Sequence, residues 1–172
     1  MRDNSGLEFT AFYTNWGWCG LARSRRGLTT LVLPRPTAEE VFIALNAIPF
    51  RQVADQHFKE IEKKLQGYFS GERTHFNEAI DLTQGTEFQR RVWLAAKEIP
   101  YGEARSYAWV AVRVGNPRAY RAVGQALGKN PLPIVIPCHR VLTSRGSIGG
   151  FSAGLENKER LLELEGISCL VA

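Results

Sequence analysis

The chain of 172 residues is 44% hydrophobic and 23% charged, with a net charge of +5; this is a globular balance that excludes wholesale disorder and leaves room for one large or two small domains. No run approaches the ~18 consecutive apolar residues of a membrane helix, and Met1-Arg2-Asp3-Asn4-Ser5 leads into no apolar signal core, so a soluble intracellular protein is expected. Three widely spaced cysteines, Cys19, Cys138 and Cys169, argue against a disulfide framework and a CxxC-type zinc site and leave at least one thiol free.

In chain order, residues 7–13, 16–22 and 28–33 read as strands of an antiparallel meander, punctuated by Trp16-Gly17 and by Ser24-Arg25-Arg26-Gly27. Thr37 is placed to cap a helix running from 38 toward 47. A second helix is expected over 57–69, where Phe58, Ile61, Leu65 and Phe69 recur at helical spacing. These elements make a small α/β domain ending near residue 80, and the polar, Gly-terminated stretch 77–85 reads as a linker.

The next domain opens on Thr86-Glu87-Phe88-Gln89, a capping box. Its helix should run to Ile99, with Phe88, Val92, Ala95, Ala96 and Ile99 as the apolar stripe and Pro100-Tyr101-Gly102 as the stop. Ser106 then caps a short helix through Val114, Gly115 supplies a left-handed stop, and Asn116-Pro117 caps and opens another helix. The pair reads as a helix-turn-helix, which is either a short helical hairpin of an all-α core or a DNA-binding element. Ala119, Ala122, Val123 and Ala126 share one face of the later helix, and Arg118, Arg121 and Gln125 share another. Small residues such as Ala122 and Gly124 keep this helix thin enough to approach a duplex closely.

From residue 104 to 155 there is no Asp or Glu, while Arg105, Arg113, Arg118, Arg121, Lys129, Arg140 and Arg145 supply seven basic groups. That asymmetry favours a polyanionic partner over a merely solvated basic face.

The apolar run Pro133-Ile134-Val135-Ile136, expected as a buried strand or extended segment, ends at Pro137-Cys138-His139-Arg140. If Pro137 starts a helical turn, backbone N–H groups, His139 and Arg140 would all lower the Cys138 thiol pKa and favour the nucleophilic thiolate. The alternative is a buried small hydrophobe, the usual fate of a free cysteine and the reading kept for Cys19 and Cys169. A thiol site also needs a base and a group to orient it. His139 is the base candidate, reaching sulfur through water rather than directly, and Glu163 and Glu165 are candidate orienters. The following Gly146–Gly154 stretch lacks phosphate-loop spacing and reads as a surface loop or as one wall of a pocket for a planar group, with Phe151 stacking. A last helix spans 156–165 and stops at Gly166.

Residues 85–166 resemble the O6-alkylguanine-DNA alkyltransferases (methylated-DNA–protein-cysteine methyltransferases). The resemblance rests on Gly85-Thr86-Glu87-Phe88-Gln89-Arg90-Arg91-Val92-Trp93, Ile99-Pro100-Tyr101-Gly102-Glu103, Ser106-Tyr107, Gly115-Asn116-Pro117, Arg121-Ala122-Val123-Gly124, Asn130-Pro131, Ile136-Pro137-Cys138-His139-Arg140-Val141 and Leu161-Leu162-Glu163-Leu164-Glu165-Gly166, in that order. It implies a two-domain α+β protein: residues 1–80 a variable, ribonuclease-H-like α/β domain with an antiparallel sheet, and 86–172 a mostly helical, winged-helix-like domain for DNA binding and alkyl transfer.

The implied activity is a single-use repair in which an alkylated guanine is flipped out of duplex DNA, approached through the minor groove, and Cys138 takes the alkyl group. The resemblance makes His139 the water-linked base, Glu165 its orienter and Asn130 the brace before the active-site turn. Tyr107 helps rotate the nucleotide and donates to the base; Arg121 fills the vacated stack, with Arg118, Ala122 and Gln125 also at the DNA. Leu127, Val141, Gly149, Gly150, Phe151 and Ser152 correspond to the substrate pocket, with the Val141 carbonyl and Ser152 amide as base contacts. No cofactor or metal is implied, and the protein is expected to be a cytoplasmic monomer, cooperative assembly on DNA being left open. Phe151 stands where many relatives have Tyr, and Ala153 where Gly is common, which bears on bulky alkyl groups.

Overall fold

A computed structural model describes residues 6–46, 55–151 and 153–168. The chain forms two compact units, residues 1–82 and 83–172. In the first, β1 (Glu8–Thr14), β2 (Gly17–Ser24) and β3 (Gly27–Arg35) form an antiparallel sheet in the order β1-β2-β3. The register sets Phe12 opposite Cys19 and Leu21 opposite Leu31. Helix α1 (Ala38–Leu45) is capped by the Thr37 hydroxyl, which accepts from the Glu40 amide, and Asn46 ends it in the left-handed conformation. The expected extension to Ala47 lies outside the described residues.

Burial on both faces of β2 explains its continuous apolar centre. Phe9, Ala22 and Val32 pack with Val41 and Leu45 of α1. A Cβ on Gly20 would sit 2.2 Å from Val41 Cγ1, so glycine at this point allows the helix to lie against the sheet. Helix α2 (Lys59–Phe69) buries Ile61, Leu65, Tyr68 and Phe69, and Glu62 accepts from the Thr10 hydroxyl of β1 at 2.7 Å. It begins later than expected, because Asp55–His57 forms a separate 3-10 turn and Phe58 is the N-cap residue.

The stretch read as a linker starts as part of this unit. Leu28 N donates to Ala79 O, Asp81 N donates to Leu28 O, and Asp81 accepts from the Ser24 hydroxyl. The backbone at Ala79 and Asp81 satisfies the open edge of β3 at Leu28.

The second unit starts with α3 (Glu87–Lys97), whose Thr86–Gln89 capping box is fully formed, a device worth about 1 kcal/mol. Val92, Trp93, Ala95 and Ala96 face inward, and the Trp93 indole donates to Ala126 O at 2.8 Å. Two-residue strands β4 (Arg105–Ser106) and β5 (Val141–Leu142) pair in parallel. Ser106 caps α4 (Tyr107–Arg113) through a bond from Trp109 N, and Gly115 takes the expected positive φ. Helix α5 (Tyr120–Leu127) begins three residues later than expected.

Asn116 does not cap α5: its carbonyl accepts from Ala119 N, closing a separate turn, and Ala119 takes the cap position without a side-chain bond. Arg118 consequently belongs to that turn and does not share a helical face with Arg121 and Gln125. Helix α6 (Leu155–Leu164) buries Lys158, Leu161 and Leu162. Among the described residues no helix is long and apolar enough to cross a membrane.

Candidate active site

Beyond α5, Asn130 organises the backbone that carries the cysteine. Its Oδ1 accepts from Leu132 N at 3.0 Å, and its Nδ2 donates to Ile136 O at 2.8 Å and to Cys138 Sγ at 3.0 Å. Residues 133–136 are a tight turn and not the expected strand: Ile136 N donates to Leu132 O, and Ile134 has φ 73°. A β-branched residue in the left-handed region costs about 1–3 kcal/mol. Full burial of Leu132, Ile134 and Ile136 and the three bonds from Asn130 offset that cost. Pro137 then leads into one 3-10 turn, Cys138–Arg140.

Cys138 is 5% exposed. The expectation of a lowered thiol pKa is reversed, since burial pushes it up, and the Asn130 bond, the Lys158 charge and the Cys138 and His139 amides oppose that without overcoming it. A three-residue turn carries too little aligned backbone dipole to outweigh desolvation. Arg140, read as a source of positive potential at the thiol, turns elsewhere. Its Nε and Nη2 donate to the two oxygens of Glu165 at 2.7 and 2.9 Å, and Nη1 donates to Ile99 O at 2.6 Å.

The buried cation that acts on the thiol is Lys158, which the sequence reading missed. Its Nζ donates to Val141 O at 2.7 Å and Ile148 O at 2.5 Å and lies 5.8 Å from the centre of the Tyr107 ring. The signal was present in the spacing: Lys158, Leu161, Leu162 and Glu165 recur three, four and seven apart, so a charged pair interrupts an apolar helical stripe. Val141 O, expected to meet the base, thus already accepts from Lys158.

Of the two candidate orienters, Glu165 is buried against His139 Nε2 at 2.8 Å, whereas Glu163 is exposed. Burial alone would raise the Glu165 pKa, but bonds and charge from His139 and Arg140 outweigh it and hold the carboxyl down to about 2. An ionised carboxylate only accepts, so His139 carries its proton on Nε2. Burial is also the largest influence on His139, and its pKa is lowered despite Glu165. The imidazole is therefore neutral near pH 7 and able to receive a proton.

A cavity of about 710 Å³ is lined by Tyr107, Tyr120, Arg121, Gly124, Gly150 and Phe151 among others, and Cys138, His139 and Glu165 are not among its lining residues. Tyr107 connects it to the thiol: burial and the Cys138 charge both raise the Tyr107 pKa. The Tyr107 hydroxyl donates to Gly150 O at 3.4 Å. Gly149 has φ +64°, and a Cβ there would lie 2.9 Å from Tyr107 Oη, so only glycine fits without displacing the tyrosine. Leu127 and Val141 are buried and are not among the residues lining this cavity. Arg121 and Gln125 are exposed on α5 and Ala122 is half-buried. Ser152 and Cys169 lie outside the described residues, while Cys19 is a buried thiol whose pKa desolvation raises to about 12.

The site thus holds a soft nucleophile and a neutral imidazole bound by a carboxylate, and Tyr107 and Arg121 line a largely apolar cavity. The model of the 6-O-methylguanine DNA methyltransferase DNA-binding domain matches residues 87–167. The methylated-DNA–protein-cysteine methyltransferase of Methanosarcina acetivorans is 49% identical over 115 residues, 67% of this chain and 72% of the relative. Its counterpart in Mycobacterium tuberculosis is 51% identical over 102 residues, 59% of this chain and 61% of the relative. The crystal structure of M. tuberculosis O6-methylguanine methyltransferase aligns with a TM-score of 0.75 at 38% identity, covering 92% of each chain. A structure of that protein in complex with DNA aligns equally well, at TM-score 0.75.

Proposed function

The chain belongs to the methylated-DNA–protein-cysteine methyltransferase family, and from that premise we propose that it repairs DNA by moving an alkyl group from O6 of guanine in a duplex onto Cys138. The observation that carries this reading is the contiguity of two contacts: Asn130 Nδ2 on the Cys138 sulfur at 3.0 Å, and His139, the next residue in the chain after Cys138, bound to Glu165 at 2.8 Å. A nucleophile, a base and an orienting carboxylate are what thiol-group transfer requires.

The damaged guanine leaves the stack and enters past Tyr107 and the Gly149–Gly150 backbone, with Arg121 occupying the gap; unstacking costs a few kcal/mol, which these contacts offset. The Cys138 thiol gives its proton through one water to Nδ1 of His139, since Nε2 is held by Glu165. Asn130 and Lys158 stabilise the thiolate as it forms. Sulfur attacks the alkyl carbon in line, the C–S bond forms as the C–O6 bond breaks, and the electron pair goes to the guanine oxygen. Tyr107 donates to the base as that charge builds, and the proton taken from the thiol ends on guanine. The thioether is a poor leaving group, so each molecule acts once.

In this reading residues 86–172 are the DNA-binding and transfer domain, winged-helix-like in plan, and 1–80 are a ribonuclease-H-like companion. The thin face of α5 meets the minor groove, and the protein works in the cytoplasm as a monomer. Single-turnover incubation with duplex DNA containing O6-methylguanine, followed by intact and peptide mass measurement, is expected to add one methyl group at Cys138. Unmodified protein beside unrepaired DNA overturns the proposal.

A further inference from the structure

Where helix α5 borders the cavity, two bulky side chains, Tyr120 and Arg121, stand among small ones. Tyr120, Gly124 and Gly128 recur every four residues, share one helical face and all line the 710 Å³ cavity. Ala119 and Ala122 keep the neighbouring positions small. Tyr120 nevertheless places a large ring there that is 50% exposed, so its packing within this chain accounts for only half of its surface. It is adjacent in sequence to Arg121, and the surrounding 104–155 segment contains no acid.

An aromatic ring lining an apolar cavity, close in sequence to exposed Arg118 and Arg121, matches a nucleic acid in both of its chemistries. Cations meet phosphates, and the ring meets a base face. Resting on the alkyl-transfer reading above, we infer that Tyr120 is a stacking residue of the DNA interface: its ring packs on a nucleobase at the mouth of the cavity, beside the gap that Arg121 fills. The bare backbone at Gly124 and Gly128 lets that base approach the helix. The contact exists only with a duplex, because a free base reaching Cys138 brings no flanking nucleotide to the ring.

The test compares wild type, Tyr120→Ala and Tyr120→Phe in single-turnover alkyl transfer from two donors, a duplex containing O6-methylguanine and the free base O6-methylguanine. Removal of one base–aromatic stack is expected to slow transfer from the duplex about tenfold in Tyr120→Ala, and transfer from the free base by less. Tyr120→Phe, which keeps the ring, should match wild type on both donors, and the salt dependence of duplex binding should not change because no charge is lost. An unaltered duplex rate in Tyr120→Ala, an equal fall on both donors, or a Phe variant as slow as the Ala variant overturns the inference. Wild-type protein that repairs no duplex is a separate result, which removes the underlying alkyl-transfer reading itself.

Discussion

The carboxamide nitrogen of Asn130 donates both to the sulfur of Cys138 at 3.0 Å and to the carbonyl of Ile136 at 2.8 Å. One side chain therefore holds the strained turn in shape and stabilises the anion that the turn presents. Replacing it affects both, and the two effects are separable by choice of substituent.

Asn130→Ala is expected to cost about 1–3 kcal/mol of stability, because Ile136 O and Leu132 N lose a buried partner, and to raise the thiol pKa further. Asn130→Asp can still accept from Leu132 N but sets a carboxylate beside sulfur. Thiol reactivity toward a small alkylating reagent, followed against pH, should rank wild type above Ala and Ala above Asp. An Asp variant as reactive as wild type would mean that the sulfur contact is incidental.

Lys158 places a buried cation between two carbonyls and the active-site turn. Lys158→Met preserves length and apolar packing but removes both donors and the charge. Melting should reveal a loss of about 1–3 kcal/mol, and the thiol titration should move to higher pH, since the Lys158 charge lowers the Cys138 pKa. Alkyl transfer is expected to slow, because the thiolate forms less readily without the Lys158 charge. Lower stability with an unmoved thiol titration would reduce Lys158 to a purely structural brace.

Glu165 has a folded pKa of about 2 against an ordinary value of 4.5. A depressed acid stabilises the folded state fully above its unfolded pKa, and the contribution disappears as pH falls from 4.5 toward 2. The difference corresponds to roughly 3 kcal/mol. Urea unfolding of wild type between pH 6 and pH 2.5 should therefore steepen in its pH dependence below 4.5, and Glu165→Gln, less stable at neutral pH, should lack that component. Parallel curves for the two proteins would show that the acid sensitivity resides elsewhere.

Burial moves Cys138 above 9.0 and His139 below 6.5. Transfer that begins from a neutral thiol and a neutral imidazole is then independent of pH between those two values. Single-turnover rates should form a plateau from pH 6.5 to 9.0 and fall on the acid side as His139 gains a proton. A steady tenfold rise per pH unit across that range would identify a thiolate formed without His139.

Most local structure was legible because it depends on neighbours in the chain. The Thr86–Gln89 capping box, the Ser106 cap, the Gly115 stop and the three-strand meander follow from residue types a few positions apart. Failures occurred where a short-range rule met a longer-range demand. Asn116-Pro117 carries the marks of a helix start, yet closes a turn of its own and leaves α5 to begin at Tyr120. Pro133-Ile134-Val135-Ile136 has the composition of a strand, yet Asn130 pulls it into a turn.

The sequence by itself determined the class of chemistry: a cysteine and a histidine in an ordered set of motifs, acids absent from the segment around them, and caps that divide that segment into helices. Tertiary structure alone decided the electrostatics. Whether Arg140 or Lys158 acts on the thiol, whether Glu163 or Glu165 holds His139, and whether the thiol pKa rises or falls depend on burial and on side chains brought together from 20 or more residues away. Charge–charge energies vary with distance and local dielectric, and neither quantity exists until the chain has folded.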